Sequence, residues 1–452
     1  MKDFLANLFL NRFRYRQHSE AVVISCFYNP QNNPYRLVAF QKWYRSIRHL
    51  NHRVIECLIG DDAKPQLPPS PNITQIRTKT LLWHKETLLN KIVRDLPAKF
   101  KYVFWVDADV LFANKNWLVD GVRELQTNNI VQPFEYCVHL DQNQLKPNFN
   151  VDEWRGRCVT KDRHKQLWQS FAATHVKTEY SNSENYDQHG HVGFAWGARR
   201  VLLDQVPLYD KALVGGADHI IAHAAVGHIP HHCITKAFSA DIANVEAWMK
   251  KFYLEAQGRI GYVKGDLYHI WHGDVAKREY LKRIKEFTPD VVEIEEKDDN
   301  GLYVAKSTKT QDYVKSYYGR REVTHIHRND DYGMSPEFVR HFYHDMGYNL
   351  YDIARLFGPP RYHTPTHTGG YQPYQPYQPY QPPATAHHTP HAPVEAGVSP
   401  AVEHRVLPPE DVPAPVEVAP MPREVEPTEA PPAGLTEPEY GAICTPNDEN
   451  FS

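Results

Sequence analysis

The chain has 452 residues, with 51 Lys and Arg against 54 Asp and Glu, a formal net charge of −3 and 41% hydrophobic residues. That length holds one large domain or two smaller ones with tails, and a charge so close to neutral excludes the global basic footprint of a nucleic-acid binder. Cys26, Cys57, Cys137, Cys158, Cys233 and Cys444 are scattered without Cys-x-x-Cys pairing, which predicts reduced core thiols and a cytoplasmic setting.

The opening MKDFLANLFLNRFRYR has an apolar run too short to span a bilayer, followed by basic residues. An N-terminal helical extension over residues 1–20 is expected to pack on the domain, with peripheral membrane contact as the most it would make. Ala21 to Phe27 reads as a buried strand, Tyr28-Asn29-Pro30 as a loop, and Tyr35 to Leu50 as an amphipathic helix. Arg53 to Gly60 is a second strand ending in Asp61-Asp62, Asn72 to Thr78 a third, and Leu82, Leu89, Ile92 and Val93 carry helical spacing through Leu81 to Leu96. Such regular alternation implies an α/β domain with a mostly parallel central sheet flanked by helices. In such sheets ligands sit at the carboxyl ends of strands.

Val103 to Phe112, VFWVDADVLF, is a buried strand that delivers Asp107 and Asp109 to the sheet edge. Carboxylates at i and i+2 on a strand end can converge on one hard divalent cation; a solvated turn or helix cap is the structural alternative. Trp117 to Leu125 suggests a helix and Asn129 to Phe134 a strand. The polar section from Leu140 to Asp187 has little periodicity and is either an acceptor-side lobe or a loop. His191 to Arg200 is a glycine-punctuated apolar stretch leading into a helix through Val201, Leu202 and Leu203. Val214 to Ala225 is a Gly-Gly turn, then Asp218, then a helix. Leu267 to Asp274 is a short strand or turn with His269 and His272, and Ala276 to Phe287 is a basic helix containing Lys277 and Arg278. The spacing places an extension over 306–358, with helices at Asp312 to Tyr318 and Ser335 to Met346. From 359 to the end the Pro-rich composition, with a Tyr-Gln-Pro array from Tyr371 to Pro382, predicts a disordered tail. That tail is a spacer or a protein-binding segment.

Taken in this order, these motifs resemble the GT-A superfamily of nucleotide-sugar glycosyltransferases. The nearest likeness is to galactosyltransferase-like enzymes of bacterial and viral type, and more distantly to β-1,4-galactosyltransferases. The likeness covers about Ala21 to Tyr318, with 21–305 as the transferase domain. Leu82-Trp83-His84-Lys85-Glu86 with Leu88-Leu89-Asn90 is similar to the segment preceding the acidic strand, and Val103 to Phe112 to the Asp-x-Asp strand. Gly215-Gly216-Ala217-Asp218 is similar to the family's Gly-Gly-Glu-Asp motif with Ala217 in place of Glu. His269-Ile270-Trp271-His272 is similar to its Met-x-x-His element with His269 in place of Met.

The resemblance implies a metal-dependent hexosyltransferase that moves a hexose from a nucleotide sugar, UDP-linked, to a glycan or other hydroxyl acceptor, with inversion. A divalent cation bridging two phosphates neutralises the leaving group. Asp109 would bind it directly, Asp107 would bind it through water or hold the ribose, and His272 and His269 would complete a carboxylate and imidazole set that favours Mn²⁺, with Mg²⁺ as the substitute. Asp218, after two glycines, is the candidate base, or it caps the following helix. Phe27, Tyr28 and Asn29 are placed to meet base or ribose, with Glu56 or Asp61 accepting from the uracil imide. Lys85 reaches toward phosphate, or is a surface lysine; Asn90 joins it or bonds backbone. Trp196, Gly216 and His191 line the sugar subsite, or Trp196 is core. Arg278 clamps the pyrophosphate, or belongs to a solvated face. Two readings compete. One is a haloacid-dehalogenase-type phosphatase with Asp107 as nucleophile and Asp109 as acid/base; the other is a non-catalytic glycan-binding scaffold on the same fold.

Overall fold

The computed structural model describes residues 15–321 except 142–143, 156–160, 163–166, 186–187, 239–240 and 274–293. Most of the expected N-terminal helix, the basic stretch with Lys277 and Arg278, the helix expected at Ser335 to Met346 and the Pro-rich segment lie outside the described residues.

The architecture is mixed α/β around a seven-stranded central sheet. Its first half is built as the alternation predicts: β1 (Ala21–Tyr28), α1 (Pro34–Ile47), β2 (His52–Ile59), β3 (Ile73–Thr78), α2 (Lys85–Asp95) and β4 (Tyr102–Val106). Val22, Val23 and Ile24 of β1 are fully buried, as a strand covered on both faces requires. β1 pairs in parallel with β2 and β4, and β2 with β3. Asn33 caps α1, its side chain accepting from the Tyr35 amide. Helix α2 begins at Lys85 rather than Leu81, because the Trp83 amide donates 2.7 Å to the Leu213 carbonyl and holds that segment extended.

After β4 come β5 (Val110–Phe112), α3 (Trp117–Glu124), β6 (Ile130–Gln132) and β7 (Tyr136–His139). The polar section then supplies β8 (Lys161–Asp162), β9 (Leu167–Gln169) and α4 (Phe171–Lys177). It is therefore more than a plain loop: β5, β12 (Asp266–His269), β7, β9 and β8 form a second, five-stranded sheet in that order. The apolar stretch before Arg200 is β10 (Ala195–Arg199), which enters the central sheet antiparallel to β4 and β6. Helices α5 (Arg200–Gln205), α6 (Ala217–Ala225), α7 (His232–Ala237) and α8 (Ile242–Ala256) follow, and β11 (Ile260–Tyr262) closes the central order β11-β6-β10-β4-β1-β2-β3. The hairpin of β13 (Ile294–Lys297) with β14 (Tyr303–Ala305) and helix α9 (Thr308–Arg321) complete the described chain. Val314, Tyr317 and Tyr318 of α9 are buried in the same core as β1 and α2.

One aromatic slot fixes how β10 meets β4. Gly197 faces Phe104 across the ladder, and a Cβ on Gly197 would lie 2.4 Å from the Phe104 ring; Gly121 of α3 approaches that ring from another side, where a Cβ would lie 2.7 Å away. Only hydrogen at these two positions leaves room for the ring. Among the described residues no helix is long and apolar enough to cross a membrane.

Candidate active site

A cavity of about 480 Å³ opens where the carboxyl ends of β1 and β4 meet the start of β10, helix α6 and the end of β12. Strand β4 ends at Val106, so Asp107, Ala108 and Asp109 emerge at the sheet edge. The Asp107 amide donates 2.7 Å to the carbonyl of Phe194. Phe194 holds a φ of 79° to present that carbonyl, a conformation rare for a bulky residue and found where surrounding contacts over-determine it.

Two pairings bring the histidines to Asp109. β12 runs antiparallel to β5 with His269 opposite Val110, and the Ile270 amide donates 2.8 Å to the Asp109 carbonyl. In consequence His272 Nε2 lies 2.9 Å and His269 Nε2 3.7 Å from Asp109 Oδ2. Burial alone would push the Asp109 carboxyl up, but the charges of and hydrogen bonds from His269 and His272 hold it well below the usual carboxylate range. Asp109 Oδ1 is buried and has no hydrogen-bond partner. Asp109, His269 and His272 offer ligand atoms within 4.8 Å of one another. An orphaned carboxylate oxygen beside two imidazoles is a donor set that fits a divalent cation.

Facing this trio, Lys85 at the first turn of α2 reaches across the cavity floor. Its Nζ lies 2.8 Å from Asp107 Oδ1 and 3.4 Å from Asp218 Oδ1. Asp218 stands in the first turn of α6, after Gly215 and Gly216 with φ of 90° and 102°. Those left-handed values are ones that glycine adopts without strain, and the helix N-terminus favours the negative charge. Glu86, fully enclosed beside Lys85, is the third acid. Burial disfavours the Lys85 ammonium, yet Asp107, Asp218 and Glu86 together raise it well above its ordinary value. One cation cannot neutralise three carboxylates. Burial therefore pushes Glu86 up to about 8 and Asp107 up to about 6, against the lowering influence of Lys85.

Phe27, Tyr28, Lys85, Asp107, Asp109, Gly216, Asp218, His269, His272 and His191 all line this cavity. Five residues read from the sequence as site residues are engaged elsewhere. Asn29 bonds Asn33 and Gln66, and Glu56 accepts from the Gln66 and Leu67 amides and from the Gln75 side chain, so both shape the loop after Gly60 rather than face the cavity. Asp61 is exposed on the turn after β2. Asn90 exchanges two hydrogen bonds with the Leu208 backbone, 2.8 and 2.9 Å, which ties α2 to the segment after α5. Trp196 is fully buried and donates to the Val192 carbonyl, as a core tryptophan does. The structure adds lining residues that spacing alone did not single out, Arg36, Trp83, Glu86, His139, Trp168 and Tyr318. Of these Glu86 alone carried a signal, an acid beside a lysine at a helix start.

No protein-family model matches the sequence, and no curated protein does. Among solved structures the chain is similar to the catalytic domain of Drosophila β1,4-galactosyltransferase 7 in complex with xylobiose, at 10% identity and a TM-score of 0.29 over 66% of this chain and 98% of that one. It is also similar to glucosyl-3-phosphoglycerate synthase from Mycobacterium tuberculosis in complex with UDP, at 12% identity and a TM-score of 0.29 over 64% and 87% of the two chains. A third similar structure is 4-diphosphocytidyl-2C-methyl-D-erythritol synthase from Anaerococcus prevotii, at 8% identity and a TM-score of 0.24 over 69% and 98%.

Proposed function

We propose that this chain is a metal-dependent hexosyltransferase that takes a hexose from a UDP-linked donor and passes it to a hydroxyl acceptor with inversion. The observation that carries the reading is the convergence of Asp109, His269 and His272 at the end of β4, with Asp218 across the same cavity and Lys85 between the two acidic groups. Asp109, His269 and His272 would hold a Mn²⁺ or Mg²⁺ ion. When bound, such an ion supplies Lewis-acid neutralisation of a diphosphate leaving group.

The chain's own groups divide the remaining work. Lys85 favours the ionised form of Asp107 and, paired with Asp107 and Asp218, fixes where both oxygens point. Asp218, open to the cavity, accepts the proton that an attacking hydroxyl must lose as the new glycosidic bond forms. A single base on the acceptor side gives a single displacement, and hence inversion. Burial raises the Glu86 carboxyl to about 8, which favours its protonated form beside Lys85. Phe27, Tyr28 and Trp83 supply apolar walls; the Tyr28 hydroxyl is occupied, donating 2.6 Å to the Leu81 carbonyl.

The test is a panel of UDP-sugars incubated with the full chain and Mn²⁺, with release of UDP as the readout. The reading expects metal-dependent UDP release that Asp109→Ala abolishes. Phosphate release from simple monoesters with an acyl phosphate trapped on Asp107 would support the phosphatase instead. Saccharide binding with no turnover of any donor would support the scaffold.

A further inference from the structure

The proposed reaction leaves a second cluster of metal-ligating side chains without a task. His189 lies in the loop before β10, His219 and His223 stand one turn apart on α6, and His231 and Cys233 sit at the start of α7. His189, His223 and Cys233 are 1%, 0% and 1% exposed, and His189, His219 and Cys233 all border the cavity. Cys233 Sγ lies 3.2 Å from His223 Nε2 and 3.0 Å from His231 Nδ1, and His219 Nε2 lies 3.4 Å from His189 Nε2. The ligand atoms of His189, His219 and Cys233 all fall within 4.8 Å of one another.

The 3.4 Å between His189 Nε2 and His219 Nε2 is the spacing of two ligands in a tetrahedral shell. With bonds of about 2.0–2.1 Å to nitrogen and 2.3 Å to sulfur, tetrahedral ligand atoms stand about 3.3–3.6 Å apart. Orientation selects among the imidazoles. The His223 and His231 rings stack at 3.9 Å and 15°, so their in-plane lone pairs run side by side and do not meet on one ion. The His189 and His219 rings cross at 85°, so their nitrogens approach one point from different directions, whereas the His219 and His223 rings lie 6.2 Å apart at 22°. The ring of His189 is fixed from behind, its Nδ1 lying 2.9 Å from the Gly190 carbonyl, which leaves Nε2 as the ligating nitrogen. Gly190 is itself pinned, since a Cβ there would lie 2.6 Å from Thr174 Oγ1. Burial and the neighbouring histidines hold His219 well below the ordinary imidazole value, in the neutral form that ligates.

We propose that His189, His219 and Cys233 bind a zinc-class transition-metal ion on the wall of the same cavity, through a donor set distinct from Asp109, His269 and His272. A thiolate with imidazoles is a softer set than the carboxylate and imidazole trio, and selects Zn²⁺ over Mg²⁺ or Mn²⁺. Such an ion clips three segments together: the loop before β10, helix α6 and the start of α7. It thereby positions Asp218, the residue before His219. This site does not depend on the transferase reading.

The probe is Co²⁺, a spectroscopic stand-in for Zn²⁺, titrated into the full chain after chelator treatment. The expected result is a near-ultraviolet thiolate-to-cobalt charge-transfer band with tetrahedral visible bands, saturating at one equivalent and displaced by Zn²⁺. The band persists in Asp109→Ala, is lost in Cys233→Ser, and in His219→Gln needs about tenfold more Co²⁺ or beyond. Circular dichroism checks the folding of Cys233→Ser, and His219→Gln supplies the same test at the partly exposed rim. A wild-type chain that gives no thiolate band, or a band that survives in folded Cys233→Ser, overturns the proposal.

Discussion

Replacing Lys85 with methionine keeps most of the side-chain packing and removes the cation that Asp107 and Asp218 share. At an effective dielectric constant of about 20, unit charges at the observed 2.8 and 3.4 Å attract by about 6 and 5 kcal/mol. Desolvation of the ammonium offsets much of that sum, and removing one partner of a buried pair typically costs about 3–5 kcal/mol. The two carboxylates retain 30% and 25% side-chain exposure, so water recovers part of the loss. The expected cost is then about 2–4 kcal/mol. Urea unfolding followed by circular dichroism should show a lower midpoint with an unchanged slope. The double variant Lys85→Met with Asp218→Asn should regain about 1 kcal/mol or more, because one of the stranded charges is gone. If Lys85→Met unfolds within about 0.5 kcal/mol of the wild type, Lys85 is not the charge balance of this cavity and the reasoning fails.

Three further outcomes follow from particular contacts. Asp218→Asn should lower kcat by about 10²–10⁴-fold while leaving UDP affinity near wild type, measured by donor turnover beside calorimetry; equal losses in both would mean that Asp218 shapes the donor site instead. Gly197→Ala drives a methyl group to 2.4 Å from the Phe104 ring and should cost about 1–3 kcal/mol, part of it returned by Phe104→Leu; a neutral effect in urea unfolding would show that β10 can shift. Glu86 has a folded value of about 8 against an ordinary 4.5, so the native state binds its proton more tightly. Its contribution to stability is fully present below the ordinary value and is lost as pH rises through the folded one. The stability of wild type relative to Glu86→Gln should therefore fall with pH between those values, and a pH-independent difference would contradict the assignment.

Periodicity made the parallel half of the fold legible. Val22 to Ile24, Val54 to Leu58 and Val103 to Val106 are apolar runs bounded by polar turns, and Leu88, Leu89, Ile92 and Val93 mark one face of a helix. Helix α8 carries the same period in Val245, Met249, Phe252 and Ala256 and stands outside the expectations drawn above. The second sheet was not legible, because β5, β7, β8 and β9 are two to four residues long. Strands that short have no period to read and are held by pairing with distant partners. Asp107, Asp109, Asp218, His269 and His272 could be nominated from local motifs because each sits at the end of an element. Glu56, Asn90 and Trp196 looked alike in sequence, and only tertiary contacts turned them toward backbone and core. The crossing of His189 with His219 and Cys233 joins three separate segments, which no spacing along the chain reveals.

The most direct test of the central claim is calorimetric titration of the full chain with UDP, with and without Mn²⁺, beside Asp109→Ala. The account predicts UDP binding that requires the ion, disappears in Asp109→Ala and is unaffected by Asp61→Ala, since Asp61 lies on an exposed turn away from the cavity lining. UDP binding of equal strength with and without metal, or no binding under any metal condition, would contradict it.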